Sequence, residues 1–202
     1  DTERKSILDF RQLSMSGGFE NGVFDISERF SGSSNLSDYG KIANLRIVSL
    51  SDYNRISGKG ETLAENEVLL HALRTDYGLK TISLGSVETF SVKKTLDVMP
   101  LADGSGAEIS PTITLVVSDF DKTAERLVDG AGEHVVRLKW IYGFDCSNEL
   151  EEQDKVCNMI AAASENGGFS DKDGSSGWQY LSYESRAAEY ADFAAVYGGL
   201  FF

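Results

Sequence analysis

Residues 112–142 read TITLVVSDFDKTAERLVDGAGEHVVRLKWIY and form the clearest module of the sequence. Apolar side chains alternate along Thr112–Val117, which predicts a strand. From Phe120 they recur at i, i+4, i+7 and i+8, which predicts a helix that breaks at Gly130. A second alternation over 134–142 predicts another strand. A strand–helix–strand run of this length is typical of one crossover unit, so we predict an α+β fold with a mixed sheet and packed helices.

Weaker signals on both sides of this module predict further elements. Residues 1–14 have a partly apolar face and predict a helix. Ser51 is the predicted cap of a short helix over 52–57 that Gly58 ends. Further strands are predicted at 22–26, 45–50, 67–73, 87–98 and 178–183, and further helices at 148–163 and 185–197. No repeat or apolar-poor linker marks a boundary. We therefore predict one domain over 1–202, with two lobes (approximately 1–110 and 111–202) as the alternative.

The composition is that of a globular protein with a strongly acidic surface. Of 202 residues, 41% are hydrophobic and 25% are charged, and the formal net charge is −13. Such a charge repels phosphate backbones, so nucleic acid is not an expected partner. The acidity favours solubility of an exported domain, and attraction of cationic peptides is the alternative. No window of 18 apolar residues occurs, and no apolar segment typical of a signal peptide follows the charged start.

The final residues, SRAAEYADFAAVYGGLFF (185–202), begin as a helix and lose polarity after Asp192. A terminus that exposed Leu-Phe-Phe to water would gain nothing from it. We interpret the segment as the first turns of a transmembrane helix. A terminus that packs into the core of the domain is the alternative.

Two stretches resemble a known family. YGGLFF (197–202) is similar to the entry of the membrane helix that follows the large extracellular domain in bacitracin-resistance (BceB-type) permeases, of the FtsX-like family of ABC transporter permeases. VSLSDYNRISGKGETLAENEVLL (48–70) resembles that family's order of a strand, a Ser-Asp-Tyr-Asn turn, a glycine and a strand start. The residues that carry the match are Ser51, Asp52, Tyr53, Asn54, Glu67, Tyr197, Gly198 and Gly199.

The resemblance implies an extracellular domain inserted between two membrane helices, on the outer face of the cell membrane. Its terminal helices would then be adjacent and lead to the bilayer. The implied function is sensing, detoxification or export of bacitracin- or lantibiotic-like antimicrobial peptides. The implied partners are an ABC ATPase subunit, reached through the membrane part, a sensor histidine kinase, and a peptide antibiotic or lipid-linked cell-wall precursor.

The sequence leaves two other functions open. Another FtsX-like permease, which exports lipoprotein or lipid or activates a cell-wall hydrolase, would have the same ends. A secreted hydrolase would need a catalytic centre. His71 and His134 lie in predicted strands, and no His-Glu-x-x-His or Gly-x-Ser-x-Gly motif occurs. We therefore predict no catalytic residue, no cofactor and no enzyme activity.

Cys146 and Cys157 are the only cysteines. An even count in an exported domain favours a disulfide. A helix from Asn148 would instead put them roughly 14–16 Å apart, against the ~4.4–6.8 Å between Cα atoms that a bridge needs. The pairing thus requires the helix to start late. The loop 171–177 lacks the glycine and glutamate of a calcium-binding EF-hand loop, so we predict no metal site.

Overall fold

A computed structural model of the chain describes residues 7–26, 42–75, 77–101, 111–131, 136–144 and 150–165. Within these ranges the chain forms eight strands and three helices. The strands are β1 (Ile7–Glu20), β2 (Val23–Asp25), β3 (Ile42–Ser49), β4 (Glu67–Leu73), β5 (Thr81–Leu84), β6 (Glu88–Thr95), β7 (Thr112–Val117) and β8 (Arg137–Phe144). The helices are α1 (Leu50–Ser57), α2 (Phe120–Ala131) and α3 (Leu150–Glu165).

Seven of the strands close into a β-barrel. They follow the order β2-β5-β6-β4-β7-β3-β1, and a pairing between β1 and β2 joins the two ends of that order. β8 is added outside the ring, next to β1. The described part of the chain is thus mostly β with three short helices, and the predicted α+β fold of a mixed sheet with packed helices is wrong.

The long strand β1 is the main reason for the difference. The helix predicted over residues 1–14 is wrong for the described residues from Ile7 onward, because they form β1 instead. β1 pairs antiparallel with β3 along Gln12–Gly18 and with β2 along Gly18–Glu20. The side chains of β1 alternate between two packed faces, and the few apolar positions that suggested a helix fit this alternation equally well.

Two further features of the barrel were not predicted. β5 is only four residues long and carries no strong pattern, yet its parallel pairing with β2 completes the ring. The glycine at position 17 lets β2 approach β1 closely, because a Cβ there would overlap the carbonyl oxygen of Asp25.

The strands β7 and β8 are separated by β3 and β1, so the predicted strand–helix–strand module does not join two neighbouring strands.

The sheet packs on both of its faces. The inward side chains of the seven strands form a core that α2 also contacts, through Phe120 and Leu127. α1 covers part of the outer face, where Tyr53 is fully buried among Phe10, Val48 and other apolar residues. β7 is buried along its whole length, and its sequence TITLVV is accordingly a nearly continuous apolar run.

The chain divides into two compact units. Residues Leu8–Tyr142 contain the barrel with α1 and α2, and Asp1–Ile7 together with Gly143–Phe202 form the other unit. In the second unit the helix predicted over 148–163 is confirmed as α3 (Leu150–Glu165). The predicted strand over 178–183 and helix over 185–197 lie outside the described residues. So does the predicted adjacency of the terminal helices.

Candidate ligand-binding groove

The groove lies where two parallel strands end side by side. β3 and β7 are parallel neighbours, with Ser49 opposite Val117 at their carboxyl ends. α1 follows β3 directly and packs on the outer core, whereas α2 follows β7 and packs on the inner core. Helices that leave adjacent parallel strands toward opposite faces open a crevice, which in α/β proteins is the usual ligand position.

The crevice is an open groove of about 740 Å³. Four segments supply its walls: β1, the β3–α1 junction, the β7–α2 junction and β8. The lining residues are Asp9, Phe10, Arg11, Ser49, Ser51, Asp52, Arg55, Ser118, Asp119, Phe120, Asp121 and Trp140. Among the described lining residues, four carboxylates face two guanidinium groups, which gives these residues a formal charge of −2.

The start of α1 is capped from within the groove. The Ser49 hydroxyl accepts a hydrogen bond from the Asp52 amide (3.0 Å) and donates one to the Asp52 carboxylate (2.8 Å). Ser49 is therefore the N-cap, two residues before the predicted Ser51. Ser51 lies within hydrogen-bond distance of the Ser49 hydroxyl, at 2.9 Å. This arrangement satisfies one of the free amides of the first turn.

The start of α2 is capped in the same way. The Asp119 carboxylate accepts from the Lys122 amide over 3.0 Å, and the Thr123 hydroxyl donates to the Asp119 carbonyl over 2.8 Å. At the start of each of these two helices, a side-chain oxygen therefore accepts a hydrogen bond from a backbone amide. Because the lining is also net negative, an anion is disfavoured in the groove despite the two helix N-termini.

Two arginines connect the helices to β1 across the groove. Arg55 of α1 pairs with Asp52 at 2.8 Å and donates a hydrogen bond to the carbonyl of Asp9. Arg11 of β1 pairs with Asp121 of α2 at 2.9 Å and lies 5.0 Å from the centre of the Phe120 ring. The pair Arg11–Asp121 is more than half exposed on average, so it contributes little to stability. Its main effect is to fix the positions of these charges.

Trp140 stands at the rim of the groove. Its indole N–H donates to the Asp9 carboxylate over 2.6 Å, and 74% of the residue is exposed. Tryptophan side chains are highly buried on average in folded proteins. An exposed indole that a carboxylate holds in one orientation is therefore the most unusual feature of the groove.

Most of the Ser51–Asn54 turn serves the fold. Tyr53 is fully buried under the sheet, and Asn54 makes two hydrogen bonds with the backbone of Glu61, from its Nδ2 to the carbonyl (2.8 Å) and from the amide to its Oδ1 (2.9 Å). These bonds hold the loop after α1 against the helix. Ser51 and Asp52 line the groove, so the structure brings only half of this motif to the site.

The other residues of the family resemblance lie away from the groove. Glu67 accepts from the Ala64 amide over 2.9 Å and closes the turn before β4. Tyr197, Gly198 and Gly199 lie outside the described residues.

The remaining sequence candidates are also not part of the groove. His71 lies on β4 opposite Thr114 of β7, and burial lowers its pKa below 6.5. Cys157 is half-buried on α3, whereas Cys146 and His134 lie outside the described residues, so the disulfide stays a prediction. The loop 171–177 is also outside them. Among the described residues, no three His, Cys, Asp or Glu side chains are grouped to hold a metal.

The sequence predictions missed most of the lining residues. Asp9 and Arg11 lie near the start of β1 and Trp140 lies in the middle of β8, in segments with no motif, and only the fold brings them together. A signal for the two helix starts is present, because a Ser-Asp-aromatic triplet follows each of two apolar strands, at 51–53 and at 118–120. Two such triplets after parallel strands indicate two helix starts at the same edge of a sheet.

Neither a protein-family model nor a curated protein matches this chain. In the part of the chain that the structure describes, no helix has both the length and the apolar character needed to cross a bilayer.

Proposed function

We propose that this chain is the extracellular domain of an FtsX-like ABC transporter permease of the bacitracin-resistance type. In this proposal the domain lies on the outer face of the cell membrane and takes part in sensing, detoxifying or exporting antimicrobial peptides. A separate ABC ATPase subunit supplies the energy through the membrane part. A sensor histidine kinase and a peptide antibiotic or lipid-linked precursor are the further proposed partners.

One observation carries the proposal. Residues 48–70 resemble the family. They form the end of β3, the capped helix α1, the glycine Gly58 that ends it, a loop that Asn54 holds by hydrogen bonds, and the start of β4. Gly58 ends α1 in the left-handed conformation, with φ of 67°, at the position of the family's glycine. The order of these elements agrees with the order of the family's pattern, and this agreement is what supports the proposal.

The groove is compatible with a binding role in such a domain. Its walls include the starts of α1 and α2, and an arginine links each of these helices to β1. A ligand that displaced either arginine would change how a helix is held on the barrel. Differential contacts of this kind are what a sensor domain needs in order to couple ligand binding to a change in shape.

The experiment is deletion of the parent gene in the organism that encodes it. The proposal predicts that the minimum inhibitory concentrations of bacitracin and of a lantibiotic fall severalfold and that the intact gene restores them. An antibiotic that acts on the ribosome serves as the control and should be unaffected. Unchanged susceptibility to every peptide antibiotic tested would contradict the proposal.

The same strain separates the alternative functions. Unseparated daughter cells would indicate a permease that activates a cell-wall hydrolase, and lipoproteins retained in the membrane would indicate a lipoprotein exporter. Turnover of peptidoglycan fragments or esters by the purified chain would indicate a hydrolase.

A further inference from the structure

The surface beside the groove combines an exposed aromatic ring with negative charge. Trp140 and Leu138 lie two residues apart on β8 and are 74% and 62% exposed. Alternate residues of a strand lie on the same face, so these two side chains share one face. Asp9 holds the indole of Trp140, and Asp121 lines the groove beside it. We call Asp9, Asp121, Leu138 and Trp140 the Trp140 surface.

Charge decides what this surface can bind. The described residues of the groove lining have a formal charge of −2, in a protein of net charge −13. The basic residues of β8, Arg137 and Lys139, alternate with Trp140 and therefore lie on the opposite face of the strand. Phosphate-bearing ligands are repelled here, whereas a cation is attracted both over long range and at contact.

Asp9 keeps accepting capacity although it binds the indole. A carboxylate has two oxygens with about four lone-pair sites, and the indole N–H uses one of them. An Arg or Lys side chain above Trp140 would contact the face of its indole ring, and tryptophan is the aromatic side chain that attracts cations most strongly. The Asp9 carboxylate lies at the edge of the same ring. Charge-assisted hydrogen bonds to that carboxylate would add to the attraction.

We propose that the Trp140 surface binds a basic, amphipathic peptide segment. One Arg or Lys side chain stacks on Trp140 and contacts Asp9 or Asp121, and an apolar side chain two positions away packs on Leu138. The spacing fits because residues i and i+2 of an extended peptide lie about 7 Å apart on one side, as do Leu138 and Trp140 on β8. This assignment rests on the permease proposal where the peptide is an antibiotic, whereas the binding surface itself is argued from its exposure and charge.

The test uses the full 202-residue chain with Trp178→Phe, which leaves Trp140 as the only tryptophan. The probe is a short peptide that carries Arg and Leu two positions apart, separated by Gly. We expect its addition to change the Trp140 emission in a saturable way. Replacing its Arg by citrulline, which keeps the shape and removes the charge, should weaken binding about tenfold or more.

Variants of the chain assign the contacts by isothermal titration calorimetry. Trp140→Leu keeps an apolar side chain and should weaken binding about fivefold, and Asp121→Asn should weaken it about threefold. Val98→Ala is the matched control, because Val98 is 71% exposed elsewhere and should have no effect. Raising the salt from about 0.05 M to about 0.5 M should weaken binding of the Arg peptide.

Three results would overturn the proposal. The first is equal affinity for the Arg and citrulline peptides, and the second is binding that Trp140→Leu leaves unchanged. The third is saturable quenching of Trp140 by a neutral chitin oligosaccharide but not by the Arg peptide, which would assign the surface to a sugar. Because the purified chain is used, these outcomes are independent of the susceptibility of the deletion strain.

Discussion

Replacing Asn54 tests whether the Ser-Asp-Tyr-Asn turn has a structural or a ligand-binding role. The Asn54 side chain makes two hydrogen bonds of 2.8 and 2.9 Å with the backbone of Glu61. Each such neutral bond contributes about 0.5–1.5 kcal/mol net to stability. Both are lost in Asn54→Ala, so we expect the free energy of unfolding to fall by about 2 kcal/mol.

The assay is urea unfolding followed by far-UV circular dichroism. The midpoint should fall while the slope stays the same, because the surface exposed on unfolding does not change. Asn54→Asp is the matched variant. It keeps an oxygen to accept from the Glu61 amide and loses the donor to the Glu61 carbonyl, so the loss should be smaller than in Asn54→Ala.

A change of less than about 0.5 kcal/mol in Asn54→Ala, the usual size for an unimportant surface site, would refute the structural interpretation. Affinity for the Arg peptide should be unchanged in this variant, because Asn54 does not line the groove. Lost binding without lost stability would instead make Asn54 a ligand contact.

Further changes probe the barrel, the outer core and two titrating groups. Gly17→Ala should cost about 1–3 kcal/mol in urea unfolding because the added Cβ overlaps β2, whereas Gly60→Ala, with open space around it, should be neutral. Tyr53→Phe should keep or raise stability, because the buried hydroxyl has no hydrogen-bond partner among the described residues; Tyr53→Ala should lose about 3–5 kcal/mol, and a large loss in Tyr53→Phe would contradict this. Burial raises the pKa of Tyr77 to about 12. The contribution of the neutral Tyr77 side chain to the free energy of unfolding should therefore be fully present below pH 10 and be lost as the pH rises through about 12. Ultraviolet titration of the chain, with Tyr77→Phe as the reference, measures that pKa. Burial lowers the pKa of His71 below 6.5, so its contribution is present above that value and lost as the pH falls through the folded-state pKa; NMR titration of the His71 ring should show this lowered pKa, and a value at or above 6.5 would contradict it.

Short-range patterns predicted most of the individual elements. The strands predicted at 22–26, 45–50, 67–73, 87–98 and 112–117 correspond to β2, β3, β4, β6 and β7. The helix over 52–57 and the helix from Phe120 are also present, within two residues of their predicted starts. Alternation, caps and glycines act within a few residues, so they can be read directly from the chain.

The candidate site was much less predictable than the elements around it. The groove depends on Asp9 and Trp140 being neighbours, although 131 positions separate them. No local pattern marks either residue, because Asp9 lies on a strand predicted as a helix and Trp140 reads as one more alternating position. A pair so distant in sequence becomes a contact only when the strand order is known.

The order of residues along the chain therefore fixed the acidic surface, the buried runs of β3 and β7 and the capped starts of α1 and α2. The tertiary structure decided that β1 is a strand, that β1 and β2 close a barrel, and that two helix starts and an exposed tryptophan share one groove. The physical reason is that apolar periodicity records only which face of a segment is buried. Strand partners are chosen by backbone hydrogen bonds and packing between segments far apart in sequence.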